Sequence, residues 1–400
     1  MRIGMLLMKG FPPDIRVEKE IHSLSKDYEL HILCNATKGQ SIHDEFDGVK
    51  ITRIPASLRR SFSQLEIILK QDSSIWFNAI SDFVSKSQIH VLHVHDLPLV
   101  GVALKVAQKH GIKLVADLHE NYPAMLKEST RIPLYRIRNL GNLALKLFFS
   151  EKKWRNFEEK FLPLSDAVIC VVEEAKVRLA EIQVKNELIY VVPNYNLITE
   201  GFSKSSSIST NNKGIFTLLY AGGVDDTRDL NTLIESLKHL KVGTDNLKVV
   251  VVGADSKSKI QLESLAKSCG VDHLLEVYTW VSREKVETIM NSTDVGLVPH
   301  RKSEHTDTTI PHKIFQYMFR GLPLIVSNCA PLERIVTKYD CGLVYTSGES
   351  LSLSKCIETL YEKPSLRAEY GEKGKIACTE NFNWSEAEKK LLELYDNITT

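Results

Sequence analysis

The chain has 400 residues, too many for one hydrophobic core of ordinary size and typical of two domains. With 43% hydrophobic and 25% charged residues, its composition is that of a soluble globular protein. The 51 Lys and Arg residues nearly balance the 50 Asp and Glu residues, for a net charge of +1, so no basic field indicates a nucleic-acid partner.

The cysteines and the first residues indicate the cellular compartment. The cysteines number seven, which is odd, and none forms a Cys-x-x-Cys pair. This predicts reduced thiols in a cytoplasmic protein and argues against a disulfide or zinc framework. The segment "MRIGMLLMKG" predicts a first strand, because its apolar run is too short for a signal peptide. No apolar run approaches the ~18 residues of a membrane span.

Apolar runs of strand length alternate with helical patterns through the first half of the chain. The predicted strands are residues 3–8, 28–34, 50–54, 91–96, 113–119, 167–172 and 189–194. The predicted helices are residues 16–26, 76–86 and 98–111, where apolar residues recur at spacings of three to four. Such alternation, with almost continuously apolar strands, is typical of a parallel sheet covered by helices on both faces.

The same alternation restarts after residues 198–214, a polar segment rich in Ser, Asn, Thr and Gly that predicts a linker. The predicted strands of this second half are residues 216–223, 247–253, 275–280, 295–299 and 322–327. The predicted helices are residues 230–240, 259–270, 285–293 and 311–321. A last helix over 383–398 has Asn383 or Ser385 as its candidate N-cap.

These elements predict an α/β protein with two Rossmann-like, doubly wound parallel-sheet domains that face each other across a cleft. The first domain covers residues 1–196 and the second covers 197–380. The segment 381–400 is expected to pack as a helix on either domain, including back on the first. Open α/β sheets bind ligands at the carboxyl ends of their strands, so candidate site residues are those that directly follow predicted strands.

One such place is the turn after the strand at 216–223. Gly222 and Gly223 would let backbone N–H groups approach a phosphate, and Arg228 follows where a cation reaches a diphosphate. The alternative is a plain tight turn between strand and helix with a solvent-exposed arginine, since glycine-rich turns are common in α/β folds.

A second place is the polar loop 300–310 and the helix that follows it. Pro311 suits the first turn of a helix, and Lys313 and Ile314 would then offer unpaired N–H groups to an anion. Gln316 lies one turn further on, and its amide can both donate to and accept from a ribose diol. The alternative is that Lys313 and Gln316 only coat a solvated face.

The first half offers titratable residues after two strands. Asp117, His119 and Glu120 follow one strand, and His95 and Asp96 end the strand before it. Three such groups together at the predicted cleft favour a functional site over a satisfied core histidine. His93 and His95 share a strand face and could bind a metal, but a third ligand is missing from this pattern.

The loop after the first strand supplies further candidates. Gly10 would bring backbone amides toward a diphosphate, and Asp14 and Arg16 follow it. Asp14 has the alternative role of N-cap for the next helix.

The order and spacing of several segments resemble a known family. They are "GFPPDIRVEKEIHSLSK", "DLHENYP", "SDAVICVV", "YAGGVDDTRDLNTLIESL", "VSREKVETIMNSTDVGLVP", "PHKIFQYMFRGLPLIVS" and the closing "NFNW". Over nearly its whole length, the chain resembles the family 4 glycosyltransferases, retaining enzymes of the GT-B fold. The resemblance implies a UDP- or GDP-linked sugar donor held mainly by the second domain. It also implies a glycan or lipid-linked acceptor held mainly by the first domain, hexosyl transfer in cell-surface polysaccharide synthesis, and no cofactor or essential metal.

The resemblance also implies roles for single residues. The turn from Gly222 to Arg228 matches the diphosphate-binding element, and Lys313 precedes the ribose-binding segment. His119 matches a residue near the donor sugar. Trp280 and Val281 match the segment whose backbone contacts the nucleobase.

The chain departs from the family pattern at one point. Two glutamates separated by seven residues are expected, and Thr308 and Gln316 stand at those positions. Thr308, Thr309 and Ile310 are therefore predicted donor contacts, and Gln316 is expected to bind the ribose without adding charge. His119, Arg228 and Lys313 are the predicted catalytic residues. Asp14, Arg16, His95, Asp96 and Glu120 are the predicted acceptor-binding residues.

Two basic amphipathic segments, residues 57–70 and 126–161, are typical of contact with an anionic membrane surface. They predict a cytoplasmic enzyme with peripheral contact at the inner face of the cell membrane; the alternative is a helix packed on its domain with a solvated basic edge. Two other functions stay open. One is a nucleotide-sugar epimerase or hydrolase of GT-B fold, which would need Asp96, Asp117 or Glu120 as acid–base groups. The other is a non-catalytic nucleotide-sugar-binding protein.

Overall fold

In a computed structural model, the chain is described over residues 1–55, 66–130, 149–195 and 214–399. The residues group into two compact units. Unit 1 comprises Met1–Asn194 and Ala387–Thr400, and unit 2 comprises Tyr195–Glu386. The last residues therefore belong with the first unit.

Unit 1 is built on an eight-stranded sheet of order β3-β4-β2-β1-β5-β6-β7-β8. Its strands are β1 (Arg2–Leu7), β2 (Glu29–Asn35), β3 (His43–Phe46), β4 (Val49–Ile54), β5 (Val91–His95), β6 (Lys113–Leu118), β7 (Ala167–Cys170) and β8 (Ile189–Val191). All neighbouring strands pair in parallel except β3 and β4. Parallel strands end at one edge, so the residues after β1, β5 and β6 come together there.

The helices described in unit 1 connect these strands. They are α1 (Ile15–Leu24), α2 (Ser74–Ser87), α3 (Val100–His110), α4 (Tyr122–Thr130), α5 (Glu151–Phe161) and α6 (Glu173–Glu181), followed at the end of the chain by α14 (Trp384–Thr399). Helix α1 begins where the Asp14 carboxylate accepts the backbone N–H groups of Arg16 and Val17, so Asp14 is an N-cap. At α14, the Asn383 side chain accepts the N–H of Glu386, which decides between the two predicted caps.

Unit 2 contains a six-stranded sheet of order β11-β10-β9-β12-β13-β14, parallel throughout. Its strands are β9 (Phe216–Ala221), β10 (Leu247–Val252), β11 (Leu275–Tyr278), β12 (Val295–Val298), β13 (Leu324–Ser327) and β14 (Gly342–Tyr345). Its helices are α7 (Leu230–Ser236), α8 (Ser256–Cys269), α9 (Arg283–Asn291), α10 (Lys313–Phe319), α11 (Ala330–Tyr339), α12 (Ser350–Glu362) and α13 (Pro364–Asn381).

The apolar strands form the centre of each unit, as their composition predicts. In unit 2, Leu218 and Val249 lie fully buried on one side of the sheet with the residues of α7 and α12. Leu219 and Val298 lie on the other side with α10 and α11. Helices thus cover both faces, which is the arrangement that continuous apolar strands require.

The structure corrects some details of the sequence prediction. Strands β3 and β14 were not predicted, and α10 is shorter than the helix expected over 311–321. The expectation that Ile314 offers an unpaired N–H was wrong, because that group donates to the carbonyl of Pro311. All seven cysteines are free, as their spacing predicted.

The two basic segments predicted to contact a membrane lie partly outside the described residues. Positions 57–65 and 131–148 belong to the part that the structure does not describe, so the prediction stays a prediction. Among the described residues, no helix combines the length and apolar character needed to cross a membrane.

Candidate functional site

The turn after β9 brings the chain back toward α10. Gly222 has a positive φ of 145°, and a Cβ atom there would lie 2.7 Å from the Nζ atom of Lys313. Its N–H donates to the carbonyl of Val252 at the end of β10. Only glycine combines this backbone conformation with so close a neighbour.

Lys313 reaches this turn from the first residue of α10. Its side chain is buried, and Nζ lies 3.6 Å from the centroid of the Tyr220 ring. No carboxylate of the described residues lies within ion-pair distance of this amine. Burial, and then the charge of Arg228, lower the pKa of Lys313 well below its ordinary value. Burial thus opposes the charged form of this amine, and no balancing carboxylate lies beside it in the described part of the chain.

Arg228 and His300 complete a group that we call the cation cluster: Arg228, His300 and Lys313. The Nη1 group of Arg228 donates to Nε2 of His300 at 2.9 Å. His300 follows β12, and Arg228 follows β9, its neighbour in the sheet. The N–H of Arg301 donates to the carbonyl of Thr227, which ties the two loops together.

Electrostatics in the cation cluster favour an anion. Burial lowers the pKa of His300 well below its ordinary value, and the charges of Arg228 and Lys313 lower it further. The Asp225 carboxylate lies 3.4 Å from Nε of Arg228 but is half exposed. Two basic side chains, Arg228 and Lys313, beside one exposed carboxylate form a site whose charge a phosphate or diphosphate would balance.

Apart from Gly10 of unit 1, the other predicted donor contacts lie in unit 2 and differ in exposure. Trp280, in the loop after β11, is 74% exposed, whereas Val281 beside it is half-buried against the core. Gln316 is exposed on α10, and Gly223 is exposed in the turn. The structure therefore leaves the Trp280 ring and the Gln316 amide accessible from solvent.

The loop before α10 is held by its own hydrogen bonds. The Thr308 hydroxyl donates to the carbonyl of Glu304 at 2.8 Å, and the Thr309 hydroxyl donates to that of His305 at 3.0 Å. Thr308 is buried, while Thr309 and Ile310 are half-buried. In this arrangement the two hydroxyls shape the loop.

Unit 1 contains a second group, which we call the buried cluster: Glu20, His93, His95, Asp117 and His119. His95 and Asp117 are in register on β5 and β6, and the Nδ1 atom of His95 lies 2.9 Å from Oδ2 of Asp117. The same oxygen lies 2.5 Å from Nε2 of His119. Glu20 joins from α1, with Oε2 3.5 Å from Nε2 of His93.

Burial and neighbouring charges shift the pKa values of the residues in the buried cluster. Burial would lower the pKa of His119, but the Asp117 carboxylate raises it to about 9. Burial and the neighbouring His93 lower the pKa of His95 to about 4. Burial and the charge of Asp117 raise the pKa of Glu20. His119 is therefore the cationic partner of Asp117 at neutral pH, while His95 is neutral.

The remaining predicted residues of unit 1 have individual roles. A Cβ atom at Gly10 would lie 2.7 Å from Cγ2 of Thr37, so the loop packs closely on the end of β2. Asp14 caps α1. The Oδ1 atom of Asp96 lies 3.2 Å from Nδ1 of His119. Arg16 is half-buried, and Glu120 is exposed with no part in the buried cluster.

Sequence reasoning missed two residues of these groups. His300 is a single histidine after a strand, and only the pairing of β12 with β9 brings it to Arg228. Glu20 lies in a charged stretch of α1 that resembles a solvated face. Its spacing from Val17, Ile21 and Leu24 nevertheless places it on the apolar stripe, and this signal was available.

Family models match both halves of the chain. The model described as "Glycosyltransferase Family 4" matches residues 19–195, and "Glycosyl transferases group 1" matches residues 201–377. A curated relative, the D-inositol 3-phosphate glycosyltransferase of Xylanimonas cellulosilytica, is 24% identical over 185 residues. That match covers 46% of this chain and 42% of the relative, so the chain spans less than half the length of that relative.

Solved structures share the fold at low sequence identity. Sucrose-phosphate synthase from Thermosynechococcus elongatus has a TM-score of 0.74 and 14% identity, covering 100% of this chain and 99% of that one. Anabaena HepE in complex with UDP-glucose has a TM-score of 0.69 and 14% identity, covering 99% of this chain and 100% of that one. These likenesses confirm the predicted fold class, GT-B with two Rossmann-like parallel-sheet domains.

Proposed function

We propose, since the chain belongs to the family 4 glycosyltransferases, that it moves a sugar from a nucleotide-sugar donor to an acceptor hydroxyl. The observation that supports this most directly is the cation cluster. A buried amine without a nearby carboxylate is unfavourable in the free protein, and a diphosphate would supply the missing negative charge.

The diphosphate is the leaving group of the proposed reaction. The bond between the anomeric carbon and the diphosphate oxygen breaks, and a bond from that carbon to the acceptor oxygen forms. Negative charge then grows on the departing diphosphate oxygen, which accepts the proton that the acceptor hydroxyl loses. Arg228 and Lys313 stabilise that charge in a site already arranged to receive it, so this chemistry needs no metal ion.

We assign the donor to the UDP- or GDP-linked sugars. HepE was crystallised with UDP-glucose, and its fold is shared by this chain. Trp280 offers an exposed ring beside the half-buried Val281 at the carboxyl edge of the sheet, where a nucleobase can stack. Gln316 contacts ribose hydroxyls in this proposal, and the product keeps the anomeric configuration of the donor.

The acceptor is proposed to be a glycan or a lipid-linked glycan of a cell-surface polysaccharide, with hexosyl as the transferred group. Its contacts are expected from unit 1, as the sequence predicted for Arg16, Asp96 and Glu120. Contact with an anionic membrane at residues 57–70 and 126–161 belongs to the same proposal.

The test is calorimetric titration of UDP, GDP, ADP and CMP into the native chain and into Arg228→Ala. Removing the guanidinium should weaken binding of the preferred nucleotide by roughly 10–150-fold, because charge-assisted hydrogen bonds contribute about 1.5–3 kcal/mol. Arg283→Ala, an exposed arginine of the same unit, is the matched control and should bind normally. Equal affinity in all three proteins would refute the assignment of the diphosphate to the cation cluster.

Product analysis separates transfer from the rival activities. Incubation of the bound nucleotide-sugar with acceptor glycans should give a product whose anomeric signal matches that of the donor. Free sugar or an epimerised donor, formed equally without acceptor, would favour a hydrolase or an epimerase. Binding without any turnover across the acceptors would favour the binding protein.

A further inference from the structure

Tyr220 lies where strand β9 passes into the glycine turn. It is the last residue but one of β9, and its side chain is fully buried. Side chains of a strand alternate between its two faces, so Tyr220 shares the face of Leu218, which α7 and α12 cover. Leu219 lies on the other face, which α10 covers. Lys313 of α10 therefore crosses the end of the strand to reach Tyr220.

The Tyr220 ring is the contact that Lys313 reaches there. The Nζ atom of Lys313 lies 3.6 Å from the ring centroid, well inside the ~6 Å range of cation–π attraction. Gly222 leaves room for this contact, because a Cβ atom there would lie 2.7 Å from Nζ and 3.7 Å from the Tyr220 hydroxyl oxygen. The ring occupies one side of the amine, so an ammonium group at this position keeps N–H donors for a phosphate.

The Tyr220 hydroxyl fixes the turn itself. It donates to the carbonyl of Gly223 at 2.6 Å. Burial raises the pKa of Tyr220 above its ordinary value, so the hydroxyl keeps its proton and remains a donor at neutral pH. Further along the turn, the N–H of Arg228 donates to the carbonyl of Asp225 at 3.1 Å. A fixed Gly223 therefore sets the starting point of the short segment that carries Arg228.

We propose that Tyr220 is a positioning residue of the diphosphate site, which acts on Lys313 through its ring and on the Gly222–Gly223 turn through its hydroxyl. This inference rests on the proposed function, because it takes the cation cluster as the place where the donor diphosphate binds. One side chain then places two basic groups that arrive from different elements, Lys313 from α10 and Arg228 from the loop after β9. Both groups are in position before the donor binds, which favours stabilisation of a leaving group.

A role in core packing alone accounts for less of this geometry. Phenylalanine would fill the same core volume without a hydroxyl to bury. Packing also requires neither a hydroxyl directed at the Gly223 carbonyl nor a ring face beside an amine. Variants of Tyr220 separate the two roles, because a residue that only packs has no specific effect on Lys313.

The experiment is calorimetric titration of UDP and GDP into the full chain and into two variants of Tyr220. Tyr220→Phe keeps the ring and loses the hydroxyl, so affinity for the preferred nucleotide should fall by roughly 2–12-fold, the contribution of one hydrogen bond. Tyr220→Leu loses the ring as well, and its affinity should fall by about another 2–30-fold. Tyr361→Phe is the matched control, because Tyr361 packs against Phe216 at the opposite end of β9 and should not affect binding.

A double-mutant cycle distinguishes positioning from packing. In a chain that already carries Lys313→Met, Tyr220→Phe and Tyr220→Leu should bind the nucleotide equally, because the ring has no ammonium group to hold. A ring that only packs the core would give the same ratio of affinities with and without Lys313. Tighter binding by Tyr220→Leu than by the native chain would show that the ring competes with phosphate for Lys313, and it would overturn the proposal.

The remaining outcomes also decide. Native affinity in Tyr220→Phe overturns the proposal, and so does equal affinity of the two variants in the chain that keeps Lys313. Should Tyr220→Leu fail to fold, Tyr220→Phe decides alone. Arg228→Ala, titrated in parallel, separates this inference from the proposed function. Weaker binding by Arg228→Ala with unchanged binding by both Tyr220 variants refutes only the role of Tyr220, whereas unchanged binding by Arg228→Ala refutes the diphosphate site itself.

Discussion

Replacing Lys313 by Met should stabilise the free protein and lower its affinity for a diphosphate. The amine is buried beneath Gly222 with the Tyr220 ring as its main favourable contact. That cation–π contact contributes about 2 kcal/mol, whereas desolvation of an ammonium group costs several kcal/mol. Methionine fills a similar volume without a charge, so we expect a gain of roughly 1–3 kcal/mol in the free energy of unfolding.

The gain can be measured by calorimetry with Lys267→Met, an exposed lysine on α8, as control. For a domain of this size, each kcal/mol raises the unfolding temperature by about 2–4 °C. With a saturating nucleoside diphosphate present this advantage should shrink to about zero, because the native chain gains roughly 10–150-fold in affinity, about 1.4–3 kcal/mol, from the charged contact. The control should follow the native chain in both conditions.

The pH dependence of the free energy of unfolding tests the same prediction independently. The pKa of Lys313 is lowered in the folded chain, so the folded state binds fewer protons than the unfolded chain below the ordinary value of 10.5. Stability of the native chain therefore rises with pH toward that value, and the advantage of Lys313→Met shrinks. A variant that is less stable at neutral pH, or whose advantage is the same at every pH, would refute the reasoning.

Four further predictions concern the same unit. Arg228→Lys should recover only part of the nucleotide affinity lost in Arg228→Ala, because an ammonium group cannot form the two parallel bonds of a guanidinium; titration calorimetry measures this. The pKa of His300 is held below its ordinary 6.5, so the unfolded chain binds a proton at acidic pH that the folded chain does not. As the pH is lowered from 6.5, the free energy of unfolding should therefore decrease by up to about 1.4 kcal/mol per pH unit. A His300→Gln variant that keeps the full slope in denaturant titrations would contradict this. Gly222→Ala places a Cβ atom 2.7 Å from Nζ of Lys313 at a residue with positive φ. The variant should therefore have a lower unfolding temperature and a lower nucleotide affinity. Normal values for both would show that the turn accommodates the methyl group. Tyr317→Phe removes the hydroxyl that accepts the N–H of Ala221 at 2.8 Å, and urea titration should reveal a loss of about 1–3 kcal/mol; an unchanged midpoint would mean that the N–H finds another partner.

The strand pattern of the chain could be predicted because burial on both faces requires continuous apolar runs. Strand β9 and strand β10 show such runs and were found at the expected positions. Strand β3 has the sequence His-Asp-Glu-Phe, which carries no apolar signal, because it pairs at the exposed edge of the sheet. The pairing of β3 with β4 depends on the turn between them, and the polar residues of β3 give no sign of a strand.

The candidate sites were predictable only where their residues follow one another in the chain. The glycine turn with Arg228, and Lys313 at the start of α10, are local patterns. His300 meets Arg228 through the register of two strands, and Glu20 meets His95 through the packing of α1. These contacts depend on tertiary structure, which the periodicity and spacing of residues along the chain do not reveal.

The return of the last residues to unit 1 has a consequence for biosynthesis. Ala387–Thr400 belongs with unit 1, and its Tyr395 is buried there beside His93, yet the ribosome makes it after all of unit 2. The first unit therefore leaves the exit tunnel with a gap at the surface where α14 will pack, and it cannot complete its core before unit 2 has been made. A nonsense codon ahead of α14 would therefore damage the unit that was made first.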